Sequence, residues 1–175
     1  MKYKKIIGGT EKEAEEKFPW LKNAVFENAE IDITKDFLVW KSGIWKNGVW
    51  ENGTWEDGMW INGYWKIGIW KNGVWENGLW EGGIWENGIW KDGIWESETW
   101  GNGTWKEGVW LNGIWESGIW KNGTWRGGIW KNGTWEDGIW EGGTWESGFM
   151  WDNLLQNYQK VVYDNKKKIF RVIKK

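Results

Sequence analysis

The sequence has no cysteine and no histidine among its 175 residues, and only one proline. Without thiols or imidazoles it lacks the ligands of zinc fingers and iron–sulfur clusters, a thiol nucleophile and the base of a Ser-His-Asp triad. No nucleotide-binding loop and no carboxylate pair of recognisable spacing appears in the sequence either. We therefore predict no catalytic residue, no metal site and no cofactor, and expect that the protein is not an enzyme.

An excess of one charge and long apolar runs are also missing. Lys and Arg number 23 against 25 Asp and Glu, a formal charge of −2, so no overall basic field attracts nucleic acid. The longest early apolar stretch, Ile6-Ile7, is too short for a signal sequence or a membrane span. We expect a cytoplasmic or virion-associated protein that contacts no membrane and takes no evident small-molecule substrate.

Trp and Gly are abundant, with 24 and 27 copies. From Trp40 to Trp145 a Trp stands at every fifth residue, and Gly stands two residues before nearly every one of them. Asn is the commonest residue two positions after Trp, so the unit is Trp-x-Asn-Gly-x. A period of five matches neither a helix nor a continuous strand. It fits a three-residue extended segment followed by a two-residue corner, for which Asn-Gly is suited.

The residue after Trp indicates which way the indoles face. It is usually charged, as in Lys46, Glu51 and Lys66, and neighbours in a strand face opposite sides. Exposed indoles would bury these charges without partners, at a prohibitive cost. The alternative, a flat meander of hairpins, would expose 22 indoles. We therefore expect an inward structural core, represented by Trp40, Trp45, Trp50, Trp55, Trp60, Trp100 and Trp145.

A short segment before the Trp array shows the same pattern in another form. Residues 26–29 (Phe-Glu-Asn-Ala) align with residues 75–78 (Trp-Glu-Asn-Gly). The pattern resembles the pentapeptide-repeat family, with unit Ala-(Asp/Asn)-Leu-x-x, in nearly standard form over 24–34 and as a Trp/Gly variant over 40–149. The resemblance implies an all-β, right-handed quadrilateral β-helix with four units per coil. Trp-x-Asn-Gly arrays also look like predicted proteins of tailed phages.

The expected organisation is an N-terminal cap (1–23), a β-solenoid (24–149) and a C-terminal basic cap (150–175). In the first cap we predict a strand over residues 2–7. A capping box at Thr10 then opens a short helix that Pro19 closes, and Trp20 and Leu21 cover the first coil. In the last cap we predict a short helix over 151–158 and a hairpin that joins 161–163 to 169–173.

Four units per coil would stack residues twenty apart, which sorts the outward residues into rows. One row is acidic: Glu56, Glu76, Glu96, Glu116 and Glu136. Another is apolar: Val49, Ile69, Ile89, Val109, Ile129 and Phe149. We interpret the apolar row as a docking surface for a protein partner or a second copy. Ordinary strand propensity and solubility remain the alternative explanation for both rows.

Two further features stand out. Glu98 takes the place of a repeat Gly, which predicts a local bulge with the carboxylate turned outward. The basic tail could touch nucleic acid or an acidic partner, or could protect a sheet edge. It comprises Lys166, Lys167, Lys168, Arg171, Lys174 and Lys175.

The sequence therefore favours a non-enzymatic, rigid β-solenoid with a structural or protein-binding role, in a phage particle or a homo-oligomer. The alternative is DNA mimicry, because the resemblance includes pentapeptide-repeat proteins that bind topoisomerases, and the acidic row supports it. A third hypothesis is carbohydrate binding, for which only Trp20, Tyr64 and Trp151 remain as candidate exposed platforms.

Overall fold

The computed structural model describes residues 1–173, and its repeat array forms a β-solenoid of stacked parallel strands. Each unit contributes a short strand that ends at Trp. Two backbone hydrogen bonds per unit join the coils: the N–H of Glu86 donates to Trp70 O at 2.7 Å, and that of Ile84 donates to Gly68 O at 2.9 Å. The predicted all-β solenoid with a Trp core is confirmed.

Each coil contains three units. Trp85 pairs with Trp70 in the preceding coil and with Trp100 in the next, so strands stack at a spacing of fifteen residues. The predicted quadrilateral coil, with residues twenty apart in contact, is wrong. Successive indoles meet edge to face, with ring centroids 5.6 to 6.1 Å apart. Three such indoles occupy the interior of a coil.

The solenoid has three sides, which we call first, second and third. The first side comprises β3 (Leu38–Asn47), β5 (Gly53–Trp55), β8 (Ile69–Trp70), β11 (Ile84–Trp85), β14 (Thr99–Trp100), β17 (Ile114–Trp115), β20 (Ile129–Trp130) and β23 (Thr144–Trp145). The second comprises the end of β3, then β6 (Met59–Trp60), β9 (Val74–Trp75), β12 (Ile89–Trp90), β15 (Thr104–Trp105), β18 (Ile119–Trp120), β21 (Thr134–Trp135) and β24 (Phe149–Asp152). The third comprises β4 (Val49–Trp50), β7 (Tyr64–Trp65), β10 (Leu79–Trp80), β13 (Ile94–Trp95), β16 (Val109–Trp110), β19 (Thr124–Trp125) and β22 (Ile139–Trp140).

The core consists of three columns of stacked indoles, one behind each side and named after it. Within a column the ring centroids lie 4.8 to 5.2 Å apart and the ring planes are within 3° to 8° of parallel. Every indole from Trp40 to Trp130 is fully buried. Stacked and edge-to-face contacts are both favourable aromatic geometries, so the core is continuous along the rod.

Every corner from residue 43 to residue 148 holds glycine, except the one at Glu98. Gly108, for example, has a φ of +115°, and a Cβ built on it would lie 2.4 Å from the carbonyl oxygen of Gly93 in the coil below. The backbone conformation and the close approach of the two coils both exclude a side chain. The atoms nearest to such a Cβ belong to the backbone of the neighbouring coil.

The N-terminal cap follows the sequence prediction. Strand β1 (Tyr3–Ile7) precedes helix α1 (Glu11–Lys17), whose capping box joins Thr10 and Glu13. A 3₁₀ turn, Pro19–Lys22, follows. Its Trp20 packs on Trp45 and Trp50, with ring centroids 5.8 and 4.9 Å away, so the open end of the first coil is covered.

The segment that resembles a standard pentapeptide repeat forms β2 (Val25–Asp32), which runs antiparallel to β3 and parallel to β1. Phe26 stacks on Trp45 with centroids 5.7 Å apart and therefore continues the second column. The chain reverses direction in the connection between β2 and β3, residues 33–37. The segment thus shares the inward pattern of the repeats but not their parallel stacking.

The C-terminal cap is a three-stranded antiparallel sheet. Strand β25 (Asn157–Asp164) lies between β24 and β26 (Ile169–Val172). The predicted hairpin between β25 and β26 is confirmed, whereas the predicted helix over 151–158 is wrong because those residues form a second hairpin. Asp152 Oδ1 accepts hydrogen bonds from the N–H groups of Leu154 and Leu155, which fixes that turn.

Candidate interaction surface

The three-sided coil disperses the predicted acidic row over all three sides. Glu56 and Glu116 follow Trp residues of the first side, Glu76 and Glu136 those of the second, and Glu96 one of the third. Four of the five, all but Glu96, have a basic neighbour one coil away. Ion pairs that span fifteen residues are Lys41–Glu56, Lys66–Glu51, Lys71–Glu56, Lys91–Glu76, Lys121–Glu136, Arg126–Glu141 and Lys131–Glu116.

The predicted apolar docking row is dispersed in the same way. Its six residues fall two to a side: Ile69 and Ile129 on the first, Ile89 and Phe149 on the second, Val49 and Val109 on the third. The five β-branched members each stand just before a Trp, where such residues suit an exposed strand, and Phe149 stands before Met150. These residues therefore form no continuous strip, and only Phe149 takes part in a larger apolar surface, which lies on the C-terminal cap.

Glu98 is accommodated without a bulge. Thr99 and Trp100 keep their register with β11 and β17, and Glu98 itself adopts a φ of +83° with an exposed side chain. The hydrogen bond from Thr99 N to Gly83 O lengthens to 3.4 Å, compared with 2.9 Å at equivalent positions. The outward carboxylate was expected correctly, but the backbone takes up the strain through its torsion angle.

A shallow groove follows the corner between the first and second sides. Its volume is about 440 Å³, and Asp57, Asn72 and Asn87 line it with Gly backbone. Asn72 Nδ2 lies 3.4 Å from Asp57 Oδ1, and Asn87 Nδ2 lies 3.5 Å from Asn72 Oδ1. These side chains contact one another along the rod, and Val74, Ile89 and Thr104 complete the lining. The lining therefore repeats with the coil and brings no set of polar groups together at one point.

The C-terminal cap presents a different kind of surface, which we call the cap cleft. It has a volume of about 510 Å³ and is lined by Phe149, Leu155, Tyr158, Gln159, Lys160, Val172 and Ile173. Leu154 and Leu155, at the tip of the first hairpin, are 94% and 61% exposed. A turn tip that exposes two leucines is unusual for a soluble surface and is typical of an interaction site.

The C-terminal cap is basic, and Lys160 lines the cap cleft itself. Residues 151–175 carry seven basic groups and two acidic ones. Lys166, Lys167, Lys168 and Arg171 are exposed on the hairpin of β25 and β26, where Arg171 pairs with Asp164. Lys174 and Lys175, the last two members of the predicted basic tail, lie outside the described residues.

Strand β26 also has a free edge. It is hydrogen-bonded to β25 on one side, and within residues 1–173 no strand pairs with its other side. A free edge is a template for an added strand. Sequence reasoning predicted the hairpin that contains β26, but it missed the cap cleft because it assigned residues 151–158 to a helix. The signal was present in the Asp-Asn pair at 152–153, which matches the pair at the 164–165 turn.

The three aromatic residues considered for carbohydrate binding do not form a platform. Trp20 packs against the core. Tyr64 donates a hydrogen bond to Glu81, which raises the pKa of Tyr64 to about 12. Trp151 packs edge to face on Tyr158 at the cap, with ring centroids 5.0 Å apart. They lie at separate places along the rod, so they cannot bind one sugar together.

Among residues 1–173, no three His, Cys, Asp or Glu side chains come together as a possible metal site. In that part of the chain the helices are too short and too polar to cross a bilayer. In comparisons with known proteins, no family model, no curated protein and no solved structure matches the chain. The five-residue unit and the solenoid are therefore what the protein has in common with pentapeptide-repeat proteins.

Proposed function

We propose that the protein is a non-enzymatic, rigid rod that binds an acidic protein segment at its C-terminal cap. The observation that carries this proposal is the cap cleft, which Leu155 lines and beside which Leu154 is exposed on the same turn, in a cap that also has a free strand edge and a basic hairpin. Apolar contacts would supply affinity, backbone pairing would supply orientation, and charge would select the partner.

The solenoid is suited to hold its two caps at a fixed separation. Eight strand layers on the first side, at a rise of about 4.8 Å each, span about 34 Å. Each layer is tied to the next by ladder hydrogen bonds and by stacked indoles. Bending the rod would separate rings that are in contact, so we expect it to behave as a stiff spacer.

Charge distribution argues for an acidic occupant of the cap cleft. The Trp array, residues 40–150, carries nine basic and fifteen acidic groups, whereas the C-terminal cap is basic. An acidic segment would be repelled by the array and attracted to the cap. Two caps would repel each other, so a second copy docked cap to cap is disfavoured.

The three-sided coil also affects the hypotheses of DNA mimicry, carbohydrate binding and a role in an assembled particle. DNA mimicry rested on a continuous acidic row, and the three-sided coil divides that row among its three sides and places a basic residue next to four of its five members. Carbohydrate binding needs aligned aromatic platforms, and those residues are separated. A stiff rod with a binding surface at one end would suit a component of an assembled particle such as a phage. The resemblance to Trp-rich phage proteins supports this role.

The test uses a synthetic extended peptide of alternating Glu and Val, labelled for fluorescence anisotropy. We expect it to bind the full-length protein, and we expect Leu155→Asp to weaken binding at least tenfold. Ile84→Asp is the matched control, because Ile84 is 48% exposed but lies on the array; it should bind normally. A peptide with Lys in place of Glu should not bind.

Three results would overturn the proposal. One is equal binding of the Glu and Lys peptides, which would remove the role of charge. Another is equal binding by Leu155→Asp and the unaltered protein. The third is a mass by light scattering that doubles with concentration and returns to the monomer value in Leu155→Asp, which would assign the cap cleft to a second copy.

A further inference from the structure

The backbone groups of strand β26 divide between its two edges. The strand runs antiparallel to β25, and just after it the N–H of Ile173 donates to Lys160 O at 2.9 Å. In an antiparallel ladder, hydrogen-bonded pairs alternate with pairs that are not hydrogen-bonded. Arg171 therefore also directs its N–H and C=O to β25, whereas Phe170 and Val172 direct theirs to the free edge. This edge offers two donors and two acceptors to an added strand.

The side chains of β26 divide between two faces in the same alternation. The Phe170 ring contacts Trp140 and Trp145, with ring centroids 5.6 and 4.9 Å apart, so its face of the sheet covers the end of the rod. We call it the inner face, and Val172, two residues further on, shares it. Arg171 lies on the opposite, outer face, with its side chain 46% exposed. An added strand would extend both faces.

Apolar surface remains exposed at this end of the rod. Trp140, the last indole of the third column, is half-buried, whereas those from Trp50 to Trp125 are fully buried. Val172, on the inner face, is 45% exposed, and Ile139, in the last coil, is 60% exposed. Side chains of an added strand that point to the inner face would cover part of this surface, so burial favours apolar residues there.

The outer face carries the basic side chains of these two strands. Arg171 lies opposite Val162 on β25, so Lys160, two residues before Val162, lies on the same face. Asp164, which accepts a hydrogen bond from Arg171, is the one acidic residue in β25 and β26. An acidic side chain on the outer face of an added strand would lie beside Arg171, whereas a basic one would be repelled.

We infer that the acidic segment of the partner protein binds as a fourth strand of the C-terminal cap, antiparallel to β26, an inference that rests on the proposed function. The segment's residues opposite Phe170 and Val172 are apolar and face the rod. Its residue opposite Arg171 is acidic and faces outward. Antiparallel pairing continues the alternating direction of β24, β25 and β26, and it is the more stable pairing per residue.

This arrangement specifies the sequence pattern of the partner segment. Acidic and apolar residues must alternate with a period of two, which places each kind on one face of a strand. An amphipathic helix of equal charge separates the two kinds with a period of 3.6 instead. It also uses its backbone N–H and C=O groups internally, so it cannot pair with Phe170 and Val172. The cap therefore selects an extended segment.

N-methylated peptides test this pairing on the unaltered protein. In an antiparallel pair, the residues opposite Phe170 and Val172 point their own N–H groups to β26, and the intervening residues point theirs away. Two versions of the alternating Glu and Val peptide carry a methyl group on the amide nitrogen of every Val or of every Glu, and they compete with the labelled peptide in the anisotropy assay. We expect methylation at Val to weaken binding at least tenfold and methylation at Glu to weaken it less than threefold.

Val172→Pro tests the same pairing from the protein side. It removes an N–H that points to the free edge, where an edge strand tolerates proline. Binding of the unmethylated peptide should fall at least tenfold, with the aromatic circular dichroism retained and with Ile84→Asp again as the control. The methylated peptides need no variant, so they decide the question even if Val172→Pro does not fold.

The possible outcomes separate this inference from the proposed function. Equal effects of the two methylated peptides would overturn the added strand but leave binding at the cap intact, and a stronger effect at Glu would overturn the antiparallel arrangement. Failure of the unmethylated peptide to bind would instead overturn the proposed function. A mass by light scattering that rises with protein concentration and returns to the monomer value in Val172→Pro would assign the edge to a second copy and overturn the inference.

Discussion

The ammonium group of Lys131 lies 2.9 Å from the carboxylate of Glu116, which is fifteen residues earlier in the chain. This hydrogen bond and the charge of Glu116 raise the pKa of Lys131. The same spacing joins Lys66 to Glu51. Along the first side the residue after Trp alternates in sign over Lys41, Glu56, Lys71 and Glu86, and again over Glu116, Lys131 and Glu146.

Because of this alternation, reversing one charge should change the stability in opposite directions in a three-unit and a four-unit coil. Glu56 lies 3.0 Å from Lys41 and 3.9 Å from Lys71, so Glu56→Lys would place three basic groups in consecutive coils. Because these groups are partly exposed, we expect a loss of only about 0.5–1 kcal/mol in the free energy of unfolding at low salt. Urea denaturation measures it, and Glu56→Gln, which removes the charge alone, should lose less.

High salt should reduce that loss, since screening weakens interactions between exposed charges. In a coil of four units the neighbours of residue 56 would be Asp36 and Glu76, and Glu56→Lys would then relieve a repulsion. A gain in stability on this substitution would contradict the three-sided coil.

The corner glycines should differ sharply from the other glycines of the array. Gly108→Ala forces a Cβ into a carbonyl oxygen 2.4 Å away at a φ of +115°, so we expect a loss of at least about 2 kcal/mol. At Gly142 the nearest atom to an added Cβ is 3.6 Å away. Gly142→Ala is therefore the control, and thermal melting should show little change. Equal effects at the two positions would contradict the corner geometry.

Glu98 is the place where a substitution should stabilise the rod. Its φ of +83° is costly for a residue with a side chain, and Glu98→Gly restores the repeat. We expect a gain of about 1 kcal/mol in the free energy of unfolding. Chemical denaturation measures the gain, with Glu107→Gly as a control at an ordinary outward position. An unchanged or lower stability for Glu98→Gly would show that this backbone is not strained.

Acid should loosen the last hairpin. Hydrogen bonds from the N–H groups of Lys167 and Lys166, with the charge of Arg171, lower the pKa of Asp164. A carboxylate whose pKa is lower in the folded state stabilises above its unfolded value, about 3.9. That contribution is lost as the pH falls through the folded pKa. Amide hydrogen exchange at Lys166 and Lys167 should therefore accelerate in acid, relative to the intrinsic rate.

Asp164→Asn provides the comparison, because an amide cannot titrate. In that variant the protection of the same two amides should be lower at neutral pH and should no longer change across the acid range. Acid-induced loosening of equal size in both proteins would mean that another group controls the turn.

The five-residue unit, the inward Trp and the N-terminal cap could all be predicted from the sequence. Each depends on residues that are close together in the sequence. Charged side chains such as Lys46 must remain in contact with solvent, Asn-Gly forms corners, and Thr10 with Glu13 caps a helix. The number of units per coil is not local, because a unit of five residues fits a triangle or a square equally. The family resemblance favoured the square, and the predicted faces were wrong for that reason.

A signal for the correct coil was nevertheless present. At a spacing of twenty the acidic residues from Glu56 to Glu136 would stack on one another, whereas at fifteen most charged residues meet an opposite charge. The C-terminal cap was harder to predict. Asp152 followed by Asn153, Leu154 and Leu155 could begin a helix or fix a turn, and only the pairing of β24 with β25 selects the turn.

The most direct test of the coil places two nitroxide spin labels on cysteines introduced into the cysteine-free chain. Thr99 and Ile114 are neighbours on adjacent strands of the first side, whereas Ile119 lies on the second side. We expect strong dipolar broadening between labels at 99 and 114, and much weaker broadening between labels at 99 and 119. The reverse order would show that residues twenty apart are stacked and would contradict the three-column core.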